Sequence, residues 1–284
     1  MTLSDSAPAP SAPVAGIRPI VRSHHGDDVE DRYEWFREKE DSAVIAHLEA
    51  ENAYTQQRTA HLEGLRERIF GEIKGRTLET DLSVPTRRGE WWYYGRTLEG
   101  KQYGIQCRAP LASADDWTPP ELSPDVEVAG EQILLDGNVE AEGHEFFSLG
   151  SFEVSNDGTL MLYGVDVAGD ERYTVRVRNL VTGEQLPDEI PDTFAGATFS
   201  PDGRFIVYTT VDDAWRPDTV WLHELGTAVA DDAKLFHEPD EKYWVGAGFT
   251  RSDRFLVIGL GSSITSEEWL LDADDLRGEP RVVW

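Results

Sequence analysis

The sequence predicts a mainly β fold: a partial β-propeller of about four blades, preceded by an N-terminal arm and an α-helical segment. Three observations carry this prediction. After Pro85, short runs rich in β-branched and aromatic residues alternate with Gly, Asp and Asn turns. One strand-turn-strand unit recurs at offsets of 45 and 50 residues. Helical periodicity is confined to about Ser42–Lys74, ahead of the strands.

In chain order, residues 1–16 (MTLSDSAPAPSAPVAG) alternate Pro and Ala with small polar residues and offer nothing to pack, so they are expected to form a disordered tail. Residues 17–76 are expected to hold an arm and helices. The arm, His24 to Glu38, is polar but carries Tyr33, Trp35 and Phe36, which suits a segment that docks on another surface. In the helical stretch, Leu62, Leu65, Ile69 and Ile73 step by three, four and four, which places them on one helix face. Gly64 is the expected break between two helices.

Residues 77–284 are expected to be the partial propeller. Its strand candidates are 91–98, 102–108, 160–167, 173–180, 205–211, 219–225 and 255–261, with EGKQ, AGDE and VTGE as tight reversals. The repeat aligns EVSNDGTLMLYGVD, TFSPDGRFIVYTTVD and FTRSDRFLVIGLG, so that Val154, Phe199 and Phe249 are equivalent. SVPTRRGEWWYYGR, from Ser83, is a looser first copy, separated from the second by an insertion over roughly 109–150. A period of about 40–50 residues with about four strands per unit is that of propeller blades. In the third unit Pro201 pre-sets φ and Asp202-Gly203 reverses the chain. The last unit is expected to be cut short at RVVW, as in a longer chain's front part.

Composition narrows function. With 284 residues, 39% hydrophobic and nine Trp, the chain can bury a substantial core. A formal net charge of -28 repels a phosphate backbone, so nucleic acid is not an expected partner; the charge is read mainly as a solubilising surface. The single cysteine, Cys107, fits a reducing compartment and is expected to be a packing residue. No basic-then-apolar leader opens the chain and no run is long and apolar enough to span a membrane; a cytoplasmic location without membrane partners is expected.

No residue is assigned a catalytic, cofactor-binding or metal-binding role, and no cofactor is expected. His24-His25-Gly26 lacks further ligands at metal spacing and HExxH is absent, so a solvated arm is expected there. His144-Glu145 reads as a loop beside Phe146-Phe147. Gly246-Ala247-Gly248 and the glycines of 259–263 do not complete a phosphate loop and are expected in β-turns. The acidic residues near 126–145 are expected in solvated loops.

Taken in order, several segments resemble the prolyl oligopeptidase family of serine peptidases, and within it the oligopeptidase B group. HGDDVEDRYEWFRE resembles the family's N-terminal motif, with Asp31, Tyr33 and Trp35 at its core. HLEAENAYT (47–55) resembles the following helix, and 72–103 the entry into the first blade. LLDGNVEAEGHEFFSLG (134–150), VWLHELGT (220–227) and TSEEWLLDADD (265–275) resemble later segments. The resemblance implies a seven-bladed propeller gating an α/β-hydrolase domain with a Ser/Asp/His triad, acting on short peptides, after Arg or Lys in the oligopeptidase B group. The family's Gly-x-Ser-x-Gly nucleophile elbow is not found in this sequence, so the α/β-hydrolase domain is expected to be missing from it and the chain to be inactive alone. The expected partners are short, basic peptides and that hydrolase domain. The rival expectations are a non-catalytic propeller scaffold and a prolyl oligopeptidase cleaving after Pro.

Overall fold

The computed structural model describes residues 11–121 and 128–283; most of the expected tail and Trp284 lie outside them. The chain divides into two compact units between Leu78 and Glu79.

The first unit opens with a hairpin, β1 (Ile20–His24) and β2 (Asp27–Asp31). His25 (φ 52°) and Gly26 (φ 86°) form its two-residue turn, where both residues need positive φ. A 3₁₀ turn, Glu34–Arg37, follows. The arm folds onto its own residues: the Trp35 indole donates to the Gly16 carbonyl (2.9 Å), lies under the Arg18 guanidinium (4.3 Å) and stacks on Phe36, whose ring meets His47 edge-on. Tyr33 is half exposed.

Helix α1 (Ser42–Thr59) is capped by Asp41, whose carboxylate accepts from the Ala43 amide. The helical run breaks at a 3₁₀ turn over Ala60–Leu62, not at Gly64, which sits in the first turn of α2 (Glu63–Lys74). The Thr59 hydroxyl bonds back to the Thr55 carbonyl (2.7 Å) and the Thr59 backbone leaves helical geometry, whereas Gly64 occupies a turn whose amides have no intrahelical acceptor to lose. On α2, Leu65, Ile69, Phe70 and Ile73 remain exposed.

The second unit is four antiparallel meanders, each of four strand positions. In the first, β3 (Asp81–Leu82) and β4 (Thr86–Arg88) both pair with β5 (Trp91–Thr97), followed by β6 (Ile105–Pro110) and β7 (Gln132–Asp136). Pro85, with no N–H to give a ladder, divides this inner strand in two. A one-turn helix, α3 (Gly137–Glu140), leads on. The second meander is β8 (Ser148–Val154), β9 (Leu160–Asp166), β10 (Tyr173–Asn179) and β11 (Gln185–Thr193). The third is β12 (Thr198–Phe199), β13 (Phe205–Val211), β14 (Pro217–Glu224) and β15 (Ala233–His237). The fourth is β16 (Trp244–Phe249), β17 (Phe255–Gly261), β18 (Ser266–Asp272) and β19 (Arg281–Val282).

These meanders are propeller blades, and three expectations change. The region 109–150 is not one insertion: it supplies β7, α3 and the start of β8, leaving only the β6–β7 connection as extra chain. Gly246, Gly248, Gly259 and Gly261 lie in strands rather than turns, with Gly246 opposite Gly259. The fourth unit has its outer strand, because Arg281 and Val282 pair with Leu270 and Trp269.

Burial explains why blades stack. Alternate residues of each second strand face opposite neighbours. Met161 packs with Leu134 and Leu135 of the first blade, while Leu162 packs with Phe199 and Ile206 of the third. Ile206 faces the second blade, while Val207 joins Val245, Leu256 and Ile258 of the fourth. Each fully buried aliphatic side chain in these seams contributes roughly 1.5–3 kcal/mol, so both faces of the middle blades are used as core. Inner strands are also tied directly: Ser151 Oγ accepts from the Gly196 and Ala197 amides, and Glu153 accepts from Thr198 Oγ1 and the Phe199 amide.

Candidate functional site

The repeat builds one turn three times. Ser155, Ser200 and Thr250 each accept at the hydroxyl from the amide five residues on, at 3.0, 2.9 and 3.2 Å. Their carbonyls accept from Gly158, Gly203 and Asp253, which hold φ of 74°, 70° and 56°. Two of these are glycines because the left-handed region suits no other residue as well; Asp253 belongs to the small polar class that tolerates it. In the first two turns the serine hydroxyl donates to Asp157 and Asp202, both at 2.6 Å. That hydroxyl and the Thr159 amide hold the Asp157 carboxyl below the usual carboxylate range.

These turns meet. Asn156 donates to the Pro201 carbonyl (3.2 Å) and to the Asp253 carboxylate (3.1 Å), and accepts from Arg88 (2.5 Å). Arg88 ends β4, at the edge of the first blade's corresponding turn, and lies 3.8 Å from Glu153. One asparagine therefore joins the turns of four successive blades. Beneath it the buried Arg108 lies over Trp91 and donates to the Gly158 carbonyl (2.7 Å).

The chemistry of this cluster is closure rather than reaction. Among the described residues neither serine hydroxyl is hydrogen bonded to a histidine; each donates to an aspartate and accepts from an amide of its own turn, bonds that hold the turn. Hydroxyl, imidazole and carboxylate do meet at Thr219, His237 and Asp218. There Thr219 donates to Asp218 (2.8 Å), and the same His237 Nδ1 faces both partners, so no proton relay runs through the ring. Cys107 is buried beside Tyr94 and Glu131, and burial, then the Glu131 charge, push its thiol up to about 11, leaving it a protonated core group.

His24 and His25 lie on the exposed hairpin, and His144 is in an exposed loop before the buried Phe147. Among the described residues no helix is long and apolar enough to cross a membrane. Asn156 is absent from the sequence-derived candidates; its signal is the repeat alignment, which sets a side chain able both to donate and to accept where the third copy has Pro201 and the fourth the donor-only Arg251.

Comparison with known proteins places this architecture. The family described as prolyl oligopeptidase, N-terminal β-propeller domain, matches residues 13–283. Dipeptidyl aminopeptidase BI of Pseudoxanthomonas mexicana is 35% identical over 278 residues, covering 94% of this chain and 38% of that protein. Protease 2 of Moraxella lacunata is 31% identical over 264 residues, covering 92% and 37%. Oligopeptidase B from Leishmania major superposes with a TM-score of 0.83 at 27% identity, covering 96% of this chain and 40% of that one. Oligopeptidase B from Trypanosoma brucei, in a closed form with covalently bound antipain, gives 0.81 at 29%, covering 96% and 39%. The chain thus spans about two fifths of the length of the relatives it matches.

Proposed function

The chain belongs to the prolyl oligopeptidase family, and from that premise we propose that it is the arm and gating propeller of a serine-type oligopeptidase. The family match across residues 13–283 carries this reading. In it the propeller excludes folded proteins and admits short peptides, catalysis belongs to an α/β-hydrolase domain, and the chain alone is inactive. The exposed Tyr33 and the α2 face of Leu65, Ile69, Phe70 and Ile73 are apolar surface suited to covering by that domain. The lone cysteine supports a cytoplasmic setting.

Cleavage after Arg or Lys is the preferred specificity. The likeness to two oligopeptidase B structures supports it, as does a net charge of -28, which draws cationic peptides toward the protein. A second specificity is favoured by one observation: a dipeptidyl aminopeptidase is 35% identical, against 31% for Protease 2. The test uses the full-length protein and short peptides with Arg, Lys or Pro before the scissile bond, each with a free and a blocked N-terminus. Hydrolysis of blocked Arg and Lys peptides supports the preferred reading. Hydrolysis only of free N-termini, two residues in, supports the second. Cleavage after Pro alone, or no hydrolysis at all, overturns both.

A further inference from the structure

The side chain of His223 on β14 is completely buried. Its Nδ1 lies 2.7 Å from Asp232 and its Nε2 3.1 Å from Asp188, whose side chains are 1% and 2% exposed. Asp188 comes from β11, the outer strand of the second blade; Asp232 precedes β15 of the third. The histidine therefore spans an inter-blade seam. The two carboxylates have one further partner each: the Tyr208 hydroxyl of β13 donates to Asp232 (2.7 Å), and the Gly226 amide of the β14–β15 connection donates to Asp188. Among the described residues neither aspartate pairs with a lysine or arginine.

The repeat shows what this position does elsewhere. Arg178 pairs with Met161 across β10 and β9, and His223 pairs with Ile206 across β14 and β13; the two side chains stand 45 residues apart, the interval of the repeat. Arg178 reaches back to the first blade in the same way, donating to Glu140 (2.9 Å) just after β7. At the third seam the equivalent pair is Leu256 with Leu271, apolar on both strands. At this strand position one seam is thus clamped by a permanent cation, one by a histidine and one by aliphatic side chains, the third seam having its own ion pair elsewhere, Arg277 with Glu224 (2.9 Å).

We propose that the seam between the second and third blades is a proton-operated clamp, closed with His223 doubly protonated and loosened when a ring nitrogen loses its proton. Both hydrogen bonds form together only if both nitrogens carry hydrogen; a neutral imidazole has one donor for two buried carboxylates. The longer bond, to Asp188, is the one that crosses the seam and the first to be lost. Asp188 is then a buried charge with the Gly226 amide as its remaining partner, an arrangement that favours opening toward water. The clamp therefore weakens as pH rises, while the Arg178 seam, whose guanidinium does not titrate, keeps its strength. The inference is independent of the peptidase reading.

Hydrogen exchange of the full-length protein, corrected for intrinsic rates, tests it by comparing acidic with alkaline solution, about pH 5 against about pH 9. Protection in segments 185–193 and 219–232 is expected to fall by about tenfold or more relative to segment 132–141 at the Arg178 seam, the scale of one lost hydrogen bond to a buried charge. Asp188→Asn supplies an amide donor to a neutral ring and still accepts from Gly226, so it should abolish most of that difference. Equal response of both seams, or a full pH response retained in Asp188→Asn, overturns the clamp. If Asp188→Asn does not fold, the comparison of the two seams in the unaltered protein decides alone.

Discussion

Asn156 and Asp253 are 97 residues apart in sequence and 3.1 Å apart in space, joined by the asparagine's side-chain amide. Two blades of chain separate them, so this contact reports how tightly the successive turns close on one another. The same asparagine holds Arg88 and the Pro201 carbonyl.

Asn156→Ala should therefore lower stability by about 1 kcal/mol, a typical value for lost hydrogen bonds near solvent. Asn156→Asp should be worse, because a carboxylate would then face Asp253, and its deficit should shrink at high salt as the repulsion is screened. Urea midpoints of the full-length protein at low and high ionic strength measure both. An alanine variant as stable as the parent would mean that the four turns are held without Asn156.

Gly150 makes a sharper prediction. It is the extra residue between the pairs Leu149–Val165 and Ser151–Gly164, and a Cβ there would overlap the ring of the buried Tyr173. Gly150→Ala must displace either the ring or the strand, at a cost of about 1–3 kcal/mol or more. Combining it with Tyr173→Val, which clears the space, should cost less than the two changes added together; additivity would show that the ring is not the obstacle.

The repeat made the turns legible, because hydroxyl, Gly and Asp positions are local and recur with the blade. It also made the strands legible, since the second strands of the middle blades are apolar on both faces for packing against two neighbours. The seam clamps were not legible, because the partner that crosses each seam belongs to the preceding blade: Asp188 lies 35 residues before His223, and Glu140 lies 38 before Arg178. The glycines of β16 and β17 misled for a related reason. Gly246 faces Gly259 across the ladder, and the Glu268 carboxylate lies 3.4 Å from where a Gly259 Cβ would stand. Such a glycine answers a cross-strand approach rather than a reversal. The first blade was blurred by Pro85 and the long β6–β7 connection, which break the period without removing a strand.

Cys107 supplies a probe of the first blade. Its side chain is buried, and its thiol is pushed up to about 11 by burial and by the Glu131 charge. Both effects suppress the reactive thiolate. A thiol reagent at neutral pH should label the native protein at the rate at which the blade opens, and the unfolded chain at once. Native labelling as fast as unfolded labelling would place Cys107 at the surface and contradict the packing of β5 against β6.

Asp157 sets a pH dependence whose sign follows from its environment. The Ser155 hydroxyl and the Thr159 amide stabilise its ionised form, so its folded value lies below the ordinary one. A group depressed in this way contributes stability above the unfolded value of about 3.9 and loses that contribution as pH falls through the depressed folded value. Asp157→Asn keeps an oxygen that can accept both bonds but carries no charge, so the variant should lack this part of the acid dependence. Urea midpoints of the two proteins should differ most near neutrality and converge on acidification. A constant difference across that range would show that Asp157 holds the turn through geometry alone, with no contribution from its ionised state.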